Sequence, residues 1–159
     1  MPTLNEKWAG EVLGMEWHLA GVDLTSNKSI VEVKFSLPKE VGWTVLEYQM
    51  SYPNNYPNRN AYWALGVYTL SIPVSKIKYS EEEKLERLVS MRELWIVPWE
   101  WMFQFPSSET SGKTKLSEWN NILRYPKKNK IPETEETHKV ERGLVHLTKG
   151  VPLGDICPV

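Results

Sequence analysis

Residues 21–37 read Gly21-Val-Asp-Leu-Thr-Ser-Asn-Lys-Ser-Ile-Val-Glu-Val-Lys-Phe-Ser-Leu37. The second half alternates. Val31, Val33, Phe35 and Leu37 fall on one side of an extended chain, and Ile30, Glu32, Lys34 and Ser36 on the other, the period of a half-buried strand. A short apolar run, Val22-Asp23-Leu24, and a polar turn, Ser26-Asn27-Lys28-Ser29, precede it. The unit reads as a β-hairpin. Either a two-residue turn at Asn27-Lys28 or a four-residue loop over 26–29 puts Asp23 opposite Glu32. Opposed residues share a face, with Cβ atoms roughly 4.5–5.5 Å apart. A three- or five-residue loop would turn Asp23 to the apolar face. In the first register Asp23, Glu32 and Lys34 converge, and Gly21, opposite Lys34, leaves open space.

Two opposed carboxylates repel, so a chain that places them together calls for a cation between them. Paired hard oxygen ligands suit Mg²⁺, whose other partners are waters and a phosphate. A lysine beside such a metal can orient or deprotonate a water, or stabilise developing charge. These parts suit metal-assisted phosphodiester hydrolysis.

Asp23, an eight-residue spacer, and then Glu32-Val33-Lys34 resembles the core motif of the PD-(D/E)xK nuclease superfamily, which includes restriction enzymes and Holliday-junction resolvases. Val22 stands where that family often has Pro. The resemblance covers about the first half of the chain. It implies a restriction-endonuclease-like core: a helix, a strand hairpin carrying the motif, a following helix and a further strand. It further implies Mg²⁺ (or Mn²⁺) held by Asp23, Glu32 and the Val33 carbonyl, with Lys34 assisting catalysis. A glutamate on the first helix often completes such a site; Glu11 is the first candidate and Glu6 the second. The helix after the motif often carries a glutamine, here Gln49. Tyr52 lies three residues beyond it rather than four, so the Q-x-x-x-Y subgroup is not assigned.

The rest of the chain sets bounds. Its 159 residues suggest one domain, 1–159, with an irregular tail from about residue 150. Hydrophobic residues at 41% and charged residues at 25% are ordinary for a globular protein. Eight Trp and seven Tyr are not ordinary, and serve a dense core, an interface or base stacking. A net charge of −1 gives no broad basic field for nucleic acid. Lys127, Lys128 and Lys130 form the densest basic cluster and are the candidate phosphate contacts. The lone Cys157 excludes an intrachain disulfide and suggests a reducing compartment. With no transmembrane run and no signal-peptide core in residues 1–10, a soluble, cytoplasmic protein is expected.

In chain order, a helix starts near Thr3 or Asn5 and ends at Gly14. Residues 15–19 lead into a strand, and 43–50 form a helix or a strand. Residues 51–60 read as a loop. Residues 61–72 read as a buried strand. Ser80 and Glu83 form a capping box for a helix continuing through Arg92. Residues 94–97 are a strand stopped by Pro98. Trp99, Trp101, Phe103 and Phe105 alternate along one face. Ser-Gly-Lys-Thr at 111–114 lacks the first glycine of a P-loop, which rejects nucleotide binding. Residues 117–125 fit a short helix, 132–136 read as mobile, and 140–148 as a last strand.

The expected fold is α/β or α+β, a central mixed sheet with flanking helices. The expected function is a divalent-metal-dependent nuclease acting on DNA, with a homodimer allowed. The alternative is a non-catalytic interaction module that binds protein or nucleic acid through its aromatic surface.

Overall fold

The structure, a computed structural model, describes residues 2–38, 43, 45–78, 81–104, 108–109, 117–118, 135–148 and 151. Helix α1 (Pro2–Leu13) turns Leu4, Trp8, Ala9 and Leu13 inward. Gly14, at φ 65°, ends it, with Gly14 N–H donating to Glu11 O and Met15 N–H to Gly10 O. That pair of bonds is a Schellman cap, which favours a residue without Cβ. Strands β1 (Glu16–Trp17), β2 (Leu24–Thr25) and β3 (Ser29–Ser36) follow, then a 3₁₀ helix (Glu47–Asn55) and β4 (Asn60–Leu70). Helix α2 (Glu82–Leu88) leads into β5 (Val89–Pro98) and a second long 3₁₀ helix (Trp99–Gln104). Short strands β6 (Ser108–Glu109) and β7 (Ser117–Glu118) pair with each other, and β8 (Glu135–Val140) and β9 (Gly143–Thr148) form a final hairpin.

Seven strands form one mixed sheet in the order β1-β2-β3-β4-β5-β9-β8. β3 runs parallel to β4, and β5 parallel to β9; the other neighbours are antiparallel. The fold is therefore α+β around a mixed sheet. On one face α1 packs against Leu24, Val31, Val33, Leu94 and Val145. On the other, Trp43, Val45, Trp63, Trp95, Trp99 and Met102 form a second core. No helix among the described residues is long and apolar enough to cross a membrane.

Several expectations change. The polar row of β3 is buried too: Ile30, Glu32 and Ser36 are enclosed, and only Lys34 is half-buried. The strand is central, so both faces are covered. Much of the expected loop over 51–60 belongs to the first 3₁₀ helix. Trp99, Trp101 and Phe103 do not form a strand; Phe105 lies outside the described residues. Trp99 and Met102 are both buried three residues apart, the period of a 3₁₀ helix. Helix α2 is capped at Glu81 without a side-chain bond and stops at Leu88, because Val89 pairs with Leu70 on β4; Ser80 lies outside the described residues. The acidic stretch before the last strand enters β8 at Glu135, and the last strand begins at Gly143 after a turn in which Arg142 takes φ 58°. Ser117–Glu118 is strand, and the remainder of the expected helix there lies outside the described residues.

Candidate metal centre

The hairpin register is Leu24 opposite Val31 and Thr25 opposite Ile30, which sets Asp23 opposite Glu32. The turn closes through a hydroxyl: Ser26 Oγ accepts from the N–H groups of Lys28 and Ser29, at 3.4 and 3.1 Å. Ser26 N–H donates to Ser29 O at 2.8 Å. The left-handed conformation allowed for Asn27 is not used.

At Asp23 the ladder opens. Val33 N–H donates not to a backbone carbonyl of β2 but to Asp23 Oδ2, at 2.8 Å. In an antiparallel pair the N–H and C=O of one residue face the same neighbour. The Val33 carbonyl therefore lies on the edge that Asp23 occupies. Gly21, at φ 78°, carries the chain away from β3, and a Cβ added there would meet no heavy atom within 4 Å. Its glycine serves the backbone conformation as well as leaving room.

Glu32 is 2% exposed. Its Oε2 accepts from Asp23 N–H at 3.2 Å, and its Oε1 from Gln49 Nε2 at 3.0 Å. Lys34 Nζ lies 3.5 Å from the same Oε1. Gln49 is itself held, since its Oε1 accepts Leu46 N–H at 3.0 Å. That bond fixes the amide with its NH₂ toward the carboxylate.

Burial pushes Asp23 up to about 7, with the charge of Glu6 adding, while the Val33 N–H and Lys34 oppose the rise. Burial pushes Glu32 up to about 8, with the Asp23 charge adding and Lys34 opposing. Desolvation and like-charge repulsion thus act together, and one ammonium does not offset them.

The structure brings together Asp23, Glu32, Val33, Lys34 and Gln49. It does not bring Glu11 to them: that side chain is exposed on α1. Glu6 is the α1 glutamate whose charge reaches Asp23, with its Oε2 accepting from Trp17 Nε1 at 3.0 Å. Among the described residues no group of three His, Cys, Asp or Glu side chains is placed to hold a metal. Two carboxylates and a carbonyl edge are the kind of donors that suit Mg²⁺, a cation that keeps several waters and takes substrate phosphate oxygens. Lys127, Lys128 and Lys130 lie outside the described residues.

Tyr52 gave no sequence signal beyond its place near Gln49. Burial raises its hydroxyl's pKa to about 12, and the Glu32 charge adds to the rise. Its ring packs edge-on against Tyr48, which is 61% exposed.

Comparison of the chain with protein-family models, curated proteins and solved structures returns no match.

Proposed function

We propose that the protein is a divalent-metal-dependent nuclease that hydrolyses phosphodiester bonds, with DNA as substrate. The observation that carries the reading is the opening of the β2–β3 ladder at Asp23. It gathers the buried Glu32 carboxylate, the half-buried Asp23 carboxylate and the edge of the Val33 carbonyl beside Lys34. Element order supports it: α1, the hairpin with the motif, a 3₁₀ helix carrying Gln49, then β4 parallel to β3. This is the order that the PD-(D/E)xK resemblance implies.

Asp23, Glu32 and the Val33 carbonyl would hold Mg²⁺ or Mn²⁺. When bound, the metal supplies a water of lowered pKa and charge against the developing phosphorane. Lys34, kept in place by Glu32, orients the attacking water or stabilises the new negative charge. Gln49 fixes the orientation of Glu32. Trp63, fully buried, lies in register beside Glu32 on β4 and closes that side of the carboxylate from solvent.

The test is cleavage of supercoiled plasmid and of single-stranded circular DNA with Mg²⁺ or Mn²⁺, with and without EDTA. Wild type cuts only with metal. Lys34→Met loses about 100-fold or more in rate while its metal-induced rise in melting temperature persists, since the lysine acts in the transition state. Near wild-type cutting by Lys34→Met would remove that role. Metal-independent behaviour and no cleavage at all would favour the interaction module, for which Glu32 is a satisfied core carboxylate bonded to Gln49 and Lys34.

A further inference from the structure

The 3₁₀ helix that presents Gln49 to Glu32 has a second side. Met50 and Pro53, three residues apart and so aligned on this helix type, border a cleft of about 420 Å³ with Asn54, Arg59, Trp99, Glu100 and Phe103. The volume lies within the range of small-ligand sites, ~300–1,000 Å³. Its floor is fixed, because Trp99 is buried and its Nε1 donates to Met50 O at 3.2 Å. At its rim Phe103 is 58% exposed, a large ring left facing solvent. The Arg59 guanidinium lies over the Tyr56 ring, 5.1 Å from its centroid.

Resting on the nuclease reading, we propose that this cleft receives one unpaired nucleotide of the strand being cut. The substrate is then single-stranded or branched nucleic acid rather than perfect duplex.

Position links the cleft to the carboxylates. Glu32 is in register with Trp63 on β4, and Ala61, at the cleft wall, lies two residues earlier on the same face. Two strand residues span roughly 7 Å along the sheet, and Asp23, two strands over from β4, lies roughly 10 Å across it, together about 12 Å, or three to four base steps at ~3.4 Å each. A phosphate at Asp23 and Glu32 thus belongs to the same short stretch of strand as a base in the cleft.

The lining selects the occupant. One guanidinium matches one phosphodiester charge, and the Glu100 carboxylate disfavours a polyphosphate. Glu100 and Asn54 can accept from and donate to a base edge, and the Phe103 ring offers a stacking face. A base enters the cleft only when it is out of the duplex stack. A net charge of −1 also suits recognition by a pocket more than by a long phosphate track.

The full chain, in EDTA so that nothing is hydrolysed, is titrated with a fluorescein-labelled single-stranded 12-mer and with a blunt hairpin duplex. Wild type binds the single strand more tightly. Phe103→Ala weakens single-strand binding by roughly 5- to 150-fold, the span of one stacked base, and Arg59→Ala weakens it by several-fold through the lost phosphate contact. Phe103→Tyr retains it, and all three variants keep the wild-type melting temperature. Equal affinity of Phe103→Ala and wild type for the single strand, a preference for duplex, or no single-strand binding overturns the proposal. Plasmid cleavage separates the two readings. Cleavage with unchanged variant binding leaves the nuclease without this cleft. The binding pattern without metal-dependent cleavage leaves the cleft without the nuclease.

Discussion

Asp23 and Glu32 are held at a cost. Their carboxyls keep a proton to about 7 and about 8 when folded, whereas unfolded side chains lose it near the ordinary carboxylate values. Between those limits the folded chain binds more protons, so this pair lowers the stability of the metal-free protein as pH rises through the window. Asp23→Asn keeps an acceptor for Val33 N–H and removes one charge. It should stabilise the metal-free protein at pH 8 by roughly 0.2–1 kcal/mol and flatten the decline between pH 5 and 8. Thermal melts in EDTA check this. The same variant should lose most of the stabilisation that Mn²⁺ gives wild type, because only a ligand bound to the folded state stabilises it. In wild type that stabilisation should grow from pH 6 to 8 as the pair loses its proton. Asp23, Glu32 and Lys34 were legible in the sequence because a two- or four-residue turn places Asp23 opposite Glu32, and the structure has the two-residue turn. The burial of Glu32 was not, since it depends on Gln49 of the first 3₁₀ helix closing over the carboxylate.

The first 3₁₀ helix joins the two halves of the candidate site. Gln49 Nε2 faces Glu32, while Met50 and Pro53 face the cleft. Gln49→Leu leaves Leu46 N–H and Glu32 Oε1 each without this partner. It should cost about 1–3 kcal/mol in stability by denaturant melts, and lower the cleavage rate by freeing Glu32. A variant as stable as wild type would show that water replaces the amide. This element was hard to read beforehand. Residues 43–50 show no clean period of 2 or 3.6, and Pro, Asn and Ser at 51–60 suit a loop as well as a chain of tight turns. The hairpin, α1 and β4 were plain by contrast, because alternation, a terminal glycine and a long apolar run each point to one structure. The alternating aromatics after Pro98 misled, since burial there follows Trp99 and Met102 rather than every second residue.

A single sheet carries all of this, with a separate core on each face. Arg92, 0% exposed, ties its distant parts together. On β5 it donates through Nε to Asn5 Oδ1 of α1 at 2.9 Å and through both terminal nitrogens to Glu86 of α2 at 2.7 Å, and it lies 5.2 Å from the Trp8 ring. These bonds hold the Glu86 carboxyl below its usual range. Its contribution is present above the ordinary carboxylate pKa and fades as pH falls through the lowered one, opposite in sign to that of Asp23 and Glu32. Because Glu86 is partly exposed, Glu86→Ala should cost about 1–3 kcal/mol rather than the larger sum of a fully buried pair. It should leave metal-dependent cleavage per folded molecule unchanged. Anomalous scattering from a crystal grown with Mn²⁺ above its melting-shift midpoint tests the metal centre most directly. A peak within coordination distance of Asp23, Glu32 and the Val33 carbonyl is the expected result. No peak at that position, with Gln49 and Lys34 still bonded to Glu32, would contradict it.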